Sequence, residues 1–420
     1  MHRHLMVIPA ALVFVATSTL AAAAGAYGLD PTFSGDGIAQ APKAIAGVST
    51  FDDVDLVGSG ILATGVASGR VVLVRYTGSG SVDTTFGVNG IVTIPRPLVG
   101  RAMVFARTAA FPDGSLVVVA TSSGKRESPY AVVRLDANGV VDPTFGQAGV
   151  VSTGGEHMFQ TINVFVDSAQ KIVVVGSSTN SRTSALAHTF VRRLTAAGKP
   201  DTTFHGTGTL VFRTRPSAGW GTAAVDGKTM VLALSAFAPT AAGSHNGTEV
   251  FRIRANGAVR KIHAESPFRD TGSVPVGVAL DSQRRILVGF TSATDGRGGV
   301  VRLTASGRLD PTYGSNGRSI ITGPKRDAMT AFTVMPNGVA MMVGTSDIYT
   351  LPKTWTARWT PGGKPDTRYG PGGMRIFDWF RRQREQPWAL IPAAHGDVLI
   401  AGFHHRGTRS GGFVARMSAG

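Results

Sequence analysis

Seven recurrences of one unit of about 56 residues, strand-type runs punctuated by turns, and no sustained helical period together predict an all-β fold: a seven-bladed β-propeller of four-stranded blades. The 420 residues include Gly 54 and Pro 22, above the combined average usage of about 12%, which argues for many tight turns and against a helical bundle. Hydrophobic residues at 43% and charged residues at 16% suffice for a buried interior and exclude a disordered chain. With Cys 0, disulfides, thiolate zinc sites and cysteine nucleophiles are excluded as well.

Three phrases carry the repeat. The first is Asp-x-Thr-aromatic, at Asp30–Phe33, Asp83–Phe86, Asp142–Phe145, Asp201–Phe204 and Asp310–Tyr313, with a weaker copy at Asp366–Tyr369. The second is an apolar run introduced by a turn, as in Pro112-Asp113-Gly114 before Leu116–Ala120. In the third, an apolar strand bears an Arg with Gly five residues on, as in Arg75…Gly80, Arg134…Gly139 and Arg193…Gly198. Each unit then holds four strand-type runs; in the second unit they fall near Thr108–Phe111, Leu116–Ala120, Ala131–Leu135 and Gly149–Thr153. Radial repetition of such antiparallel units protects strand edges, and a single domain over 27–420 follows.

The phase of the repeat predicts how the ring closes. The chain after its leader begins with a fourth-type strand, Gly37–Gln40, and ends with a third-type strand, Phe413–Met417. The N-terminal strand is therefore expected to complete the last blade and remove a free edge. Residues 1–26 read as an export signal, with Arg3, an uncharged apolar stretch and the small-x-small site Ala24-Gly25-Ala26. A protein secreted to the cell exterior, with retention at the cell surface as an option, is expected. An uncleaved anchor is the alternative reading of the leader.

At these phrases the chain resembles the delta-60 repeat family of bacterial secreted and surface proteins. The resemblance covers about residues 28–420 and departs at Val259-Arg260-Lys261, which stands where a fifth copy of the Asp-x-Thr phrase belongs. It implies a propeller-like repeat array and no particular chemistry.

The recurrent Arg and Asp stand eight residues apart in Arg75/Asp83, Arg134/Asp142, Arg193/Asp201, Arg302/Asp310 and Arg358/Asp366. A fixed spacing in successive units suits structural ion pairs that brace the third strand against the following loop. At Arg252 the partner position holds Arg260, so that brace is expected to be missing. No metal site is expected, since none of the histidines has a metal spacing and Asp52-Asp53-Val54-Asp55 lacks the glycine and glutamate of a calcium loop. No cofactor is expected, and no nucleophile elbow or phosphate loop occurs.

The formal net charge is +16, of which only Arg3 belongs to the leader. The second-to-third and fourth-to-first connections emerge on one face of a propeller and carry 19 Lys and Arg against eight Asp and Glu. A ligand-binding site is expected in the last blade, from Trp379, Arg381, Arg382, Arg384 and Trp388 on one loop and His404, His405, Arg406 and Arg409 on another. Arginine gives bidentate contact with carboxylate, phosphate or sulfate, and tryptophan a flat face for a sugar ring. The alternative is that the two tryptophans pack between blades and the arginines are solvated. The leading function is a monomeric extracellular binding or scaffold module for an anionic cell-wall polymer or acidic glycan. Nucleic acid fits the charge but not the export signal. The competing function is an extracellular polysaccharide lyase or hydrolase with its site at the central channel mouth, which the fold alone does not license.

Overall fold

The computed structural model describes residues 28–418 apart from 46–48, 96–102, 123–129, 153–157, 180–186, 213–220, 241–242, 266, 268–271, 293–295, 324–327 and 347–350. The leader and many of the basic connections lie outside the described residues. Seven antiparallel sheets form a seven-bladed propeller, six of them with four consecutive strands each. Blade one, for example, runs through Ser49–Val57, Gly60–Ala67, Arg70–Tyr76 and Ile91–Thr93. The first strand of each blade contacts the first strand of the next, and the last blade returns to the first. No α-helix occurs among the described residues, and none there is long and apolar enough to cross a membrane.

Each blade buries both faces, so its second strand begins as an apolar run; Leu116–Ser122 is buried at every residue, the polar Thr121 and Ser122 included. Successive side chains of a strand point to opposite faces. Leu116, Val118 and Ala120 accordingly join Leu62 and Leu73 of blade one, while Val117 and Val119 join Ile172 and Val174 of blade three. The interior is a ring of seven such clusters, one at each junction between blades. The first strand of blade two spans Met103–Ala110 and begins earlier than the sequence suggests, because a bulge between Met103 and Phe105 breaks its alternation.

The last blade is built from both ends of the chain. Its strands Arg384–Pro392, Val398–Arg406 and Arg409–Ser418 are completed by Ile38–Gln40, paired Ile38↔Ala415, Ala39↔Val414 and Gln40↔Phe413. A second N-terminal segment, Gly28–Leu29, pairs with Met417 and Ser418. Phe33, Ala39, Leu399, Ala401 and Val414 then form one cluster with Phe51, Ile61 and Tyr76 of blade one, so the closing junction is packed like the others.

The Asp-x-Thr phrase is a turn in which the aspartate caps its own loop. In Asp310 the Oδ1 atom accepts from the Thr312 amide and hydroxyl at 3.0 and 2.7 Å, and Oδ2 accepts from Arg302 Nε at 2.9 Å. The five pairs of eight-residue spacing stand at 2.8 Å for Arg75–Asp83, 3.7 Å for Arg134–Asp142, 2.9 Å for Arg193–Asp201, 2.9 Å for Arg302–Asp310 and 3.3 Å for Arg358–Asp366. A sixth joins the chain ends, Arg416 to Asp30 at 2.7 Å. These arginines also reach the neighbouring blade, where Arg75, Arg134, Arg302 and Arg416 donate to the carbonyls of Ala137, Ala196, Pro361 and Gly78. Arg252 lies directly across from Arg260, yet it too reaches the next blade, at the Ala305 carbonyl.

The recurrent glycine belongs to the same junction. Gly139 has φ +86°, and a Cβ there would stand 2.9 Å from the Phe86 ring of the preceding blade. Gly198 meets Phe145 and Gly363 meets Tyr313 in the same way. The aromatic of one unit therefore lies against the glycine turn of the next, with the arginine above its ring at 4.6 Å for Arg75 over Phe86.

Candidate functional site

The hairpin between the second and third strands of the last blade turns through Gly407 and Thr408, with Gly407 at φ +63°. This sets Arg406 directly opposite Arg409 and His404 opposite Gly411. Both arginines are exposed, and among the described residues neither has an ion-pair partner. The register is tight at Gly411, since a Cβ there would lie 2.9 Å from His404 Nε2.

The connection from blade six folds over this hairpin. Phe380 is buried and stacks on the His404 ring at 3.9 Å and 15°. Its amide donates to Glu385 Oε1, whose partner oxygen Oε2 accepts from the Thr354 amide. Burial pushes the Glu385 carboxyl up, against those amides and the nearby Lys353. The loop so anchored presents Gln383, whose Oε1 accepts from His404 Nδ1 at 2.8 Å. Burial first, and then the neighbouring His405, holds His404 below the ordinary histidine value, which favours the neutral imidazole.

The opposite wall comes from the N-terminal strand. The Ala41 amide donates to the Gly412 carbonyl at 2.8 Å and places Gln40 and Ala41 beside the hairpin. Between the two walls lies a cavity of about 260 Å³, lined by Gln40, Gln383, His404, Arg406, Arg409 and Ser410 over a floor at Gly411 and Gly412.

Of the residues singled out in the sequence, this cavity gathers His404, Arg406 and Arg409. His404 and His405 lie within a strand and not in a loop, so they point to opposite sides; the His405 ring stands 6.0 Å from Phe403. Trp379 is half-buried and does not line the cavity. It packs against Phe377 and Phe413 at 5.5 and 5.7 Å, at the junction of blades six and seven, because the apolar side of its loop is drawn into that cluster. Trp388 sits half-buried in the inner strand, at the bulge between Pro387 and Ala389. Arg381 and Arg382 are exposed on the turn and Arg384 begins the inner strand opposite His405; none of the three lines the cavity. Gln40, Gln383 and Ser410 carried no sequence signal beyond the expected ring closure, which placed Gln40 beside the last strand.

The run Asp52–Asp55 lies on the inner strand of blade one, and its first two carboxylates are bound to blade two. Asp52 Oδ2 accepts from the Ala106 amide at 3.1 Å, and Asp53 accepts from the Thr108 amide at 2.9 Å and pairs with Arg107 at 3.1 Å. Burial pushes Asp52 up to about 7 against the Ala106 amide and the Arg107 charge. Asp55 is raised well above the usual carboxylate range, first by burial and then by Asp53, and its Oδ2 has no hydrogen-bond partner. No cluster of metal-ligating side chains occurs among the described residues.

The fold and site define a closed propeller with a cationic cavity at its closing junction. A family model described as a domain of unknown function (DUF5122) beta-propeller matches residues 60–86, 112–145 and 171–204, which are the strand-and-turn units of blades one to three. No curated protein is similar in sequence. Among solved structures, polysaccharide lyase Uly1 aligns with a TM-score of 0.45 at 9% identity, over 88% of this chain and 90% of that one. Prolyl oligopeptidase B from Galerina marginata aligns at 0.46 and 9% identity, over 87% of this chain and 47% of that one. A prolyl endopeptidase aligns at 0.40 and 11% identity, over 86% and 47%. The chain thus spans about half the length of the two peptidases. At such identities the chemistry of none of them transfers to this chain.

Proposed function

We propose that the protein is an exported propeller of the delta-60 repeat type that acts as an extracellular binding module for an anionic glycan, such as an acidic wall polymer, held at the cavity of the last blade. The observation that carries this reading is the pair Arg406 and Arg409, set opposite each other beside a cavity and without an acidic partner among the described residues. Two unpaired guanidinium groups with polar neighbours suit bidentate contact with a carboxylate, sulfate or phosphate. The cavity's other polar groups, Gln40, Gln383 and Ser410, suit the hydroxyls of a sugar.

A glycan and wall-polymer array at two salt concentrations tests the reading. Binding is expected at low salt and should weaken as the screening length falls from about 30 Å at 0.01 M to about 8 Å at 0.15 M. The double substitution Arg406→Ala with Arg409→Ala should weaken low-salt binding about tenfold or more. Arg381→Ala with Arg384→Ala removes the same charge from outside the cavity and should change it less than about threefold. Equal losses from both pairs would reduce the site to diffuse attraction, and a wild-type protein that binds no polyanion would reject the reading.

A further inference from the structure

Blade four departs from the other six at its outer edge. In the others, the turn that carries the Asp-x-Thr phrase folds back on the first residue of the outer strand and binds its outward amide. The amides of Ile91, Val150 and Arg318 donate to the carbonyls of Val88, Gln147 and Ser315 at 3.1, 3.3 and 3.2 Å, and that of Met374 to the Pro371 carbonyl. Those of Thr209 and Ile38 donate to Thr207 Oγ1 and Asp36 Oδ1 at 3.3 and 2.9 Å. Each of the six stands opposite the residue that precedes the recurrent arginine. Lys261 holds that position in blade four, opposite Phe251. Val259-Arg260-Lys261 runs on as a strand without the turn, and among the described residues no acceptor meets the Lys261 amide.

The edge so uncovered is long. Val259–Glu265 has 7 residues, where the other outer strands have 3 to 5. The junction with blade five stays packed, because the bulged Ile262 lies against Gly307 as Phe86 lies against Gly139. The second and third strands of blade four, Thr229–Thr240 and Gly243–Ile253, are paired out to Thr240↔Gly243, past their last partners in the first and fourth strands at Gly221 and Glu265. Such a two-stranded ribbon is marginal alone and gains from an added strand beside it.

Charge identifies the occupant. Arg260 and Lys261 are exposed and, as neighbours on a strand, point to opposite faces. Arg260 faces the like-charged Arg252 and has no ion-pair partner among the described residues, while Lys261 reaches Glu249 at 3.0 Å. These cations guard the edge against a second copy of the chain, which would bring like charges together. Residues 1–27 carry no Asp or Glu and so lack the complementary charge. We infer that the outer edge of blade four docks an extended acidic segment of a partner protein, which joins the blade as a fifth strand. Its backbone accepts from the Lys261 amide and one of its carboxylates pairs with Arg260. This surface is separate from the cavity of the last blade.

Selection from a random display library of peptides of about ten residues, on the full chain at about 0.01 M salt, tests the inference. The selected peptides should be acidic and free of proline. Once synthesised and bound, they should slow amide exchange within 259–265 and leave the outer strands of the other blades unchanged. Arg260→Glu should weaken them about fivefold or more, whereas Arg406→Ala with Arg409→Ala should change them less than about twofold. A selection that yields no binder or no acidic bias, protection at any other edge, or equal losses from the two variants would overturn the inference. A free protein that sediments as a dimer with 259–265 protected would give the edge to a second copy and overturn it as well.

Discussion

Deleting residues 28–41 is expected to lower the melting temperature by at least about 10 °C. The segment supplies the outermost strand of the last blade, through Ile38–Gln40, and two further backbone pairs through Gly28 and Leu29. It also supplies Phe33, which is 0% exposed beneath Arg416, and Asp30, which pairs with that arginine. Removing a buried phenylalanine alone costs about 3–5 kcal/mol, a large part of a typical total stability of about 5–15 kcal/mol. The deletion would also leave the strand Arg409–Ser418 as an unpaired edge, exposed to pairing with other chains. Thermal unfolding followed by circular dichroism, with light scattering to detect association, reads both effects. A truncated protein that melts with its parent would show that the ring does not depend on this closure.

The second large effect is expected from Asp310→Ala. Arg302 and Asp310 are almost wholly buried, with side chains 4% and 8% exposed, and the aspartate is what neutralises the arginine there. Removing it leaves a buried guanidinium whose remaining partners are Thr312 and the Pro361 carbonyl of the next blade. Breaking such a pair costs about 3–5 kcal/mol. Arg260→Ala should cost less than about 0.5 kcal/mol, because Arg260 is exposed and faces the like-charged Arg252. Denaturant titration of both variants checks the contrast, and equal losses would show that the eight-residue pairs do not brace the blades.

The pH dependence of Asp310 has a definite sign. Burial, its largest influence, raises the carboxyl. The Thr312 hydroxyl and amide and the Arg302 charge together outweigh it and hold the group below its ordinary value. A depressed folded value contributes stability that is present above the unfolded pKa of about 4 and is lost as pH falls through the folded value. The gap between wild type and Asp310→Ala should therefore narrow on acidification.

The seven blades were legible in the chain because the repeat recurs in register with the strands, and the closure was legible because the chain starts and ends out of phase. The eight-residue spacing likewise placed Arg302 beside Asp310. What the spacing did not convey is that the same arginine spans to Pro361, 59 residues away, a contact set by the angle between blades. The recurrent Gly139 was visible as a pattern without a cause until the Phe86 ring of the preceding blade was seen to occupy the space its side chain would fill. Trp379 shows the limit at the site: composition alone does not distinguish an aromatic turned into a junction between blades from one presented to solvent. Gln40 and Gln383 lie more than three hundred residues apart and meet only because the ring closes where it does.

Hydrogen–deuterium exchange with and without an acidic oligosaccharide tests the central claim most directly, because the cavity is built from both ends of the chain at once. Bound ligand is predicted to slow exchange together at Ala41, at Gln383 and along Ser410–Gly412, with the junctions between blades two to five unchanged. Protection confined to any other blade, or spread evenly around the ring, would contradict a binding site at the closing junction.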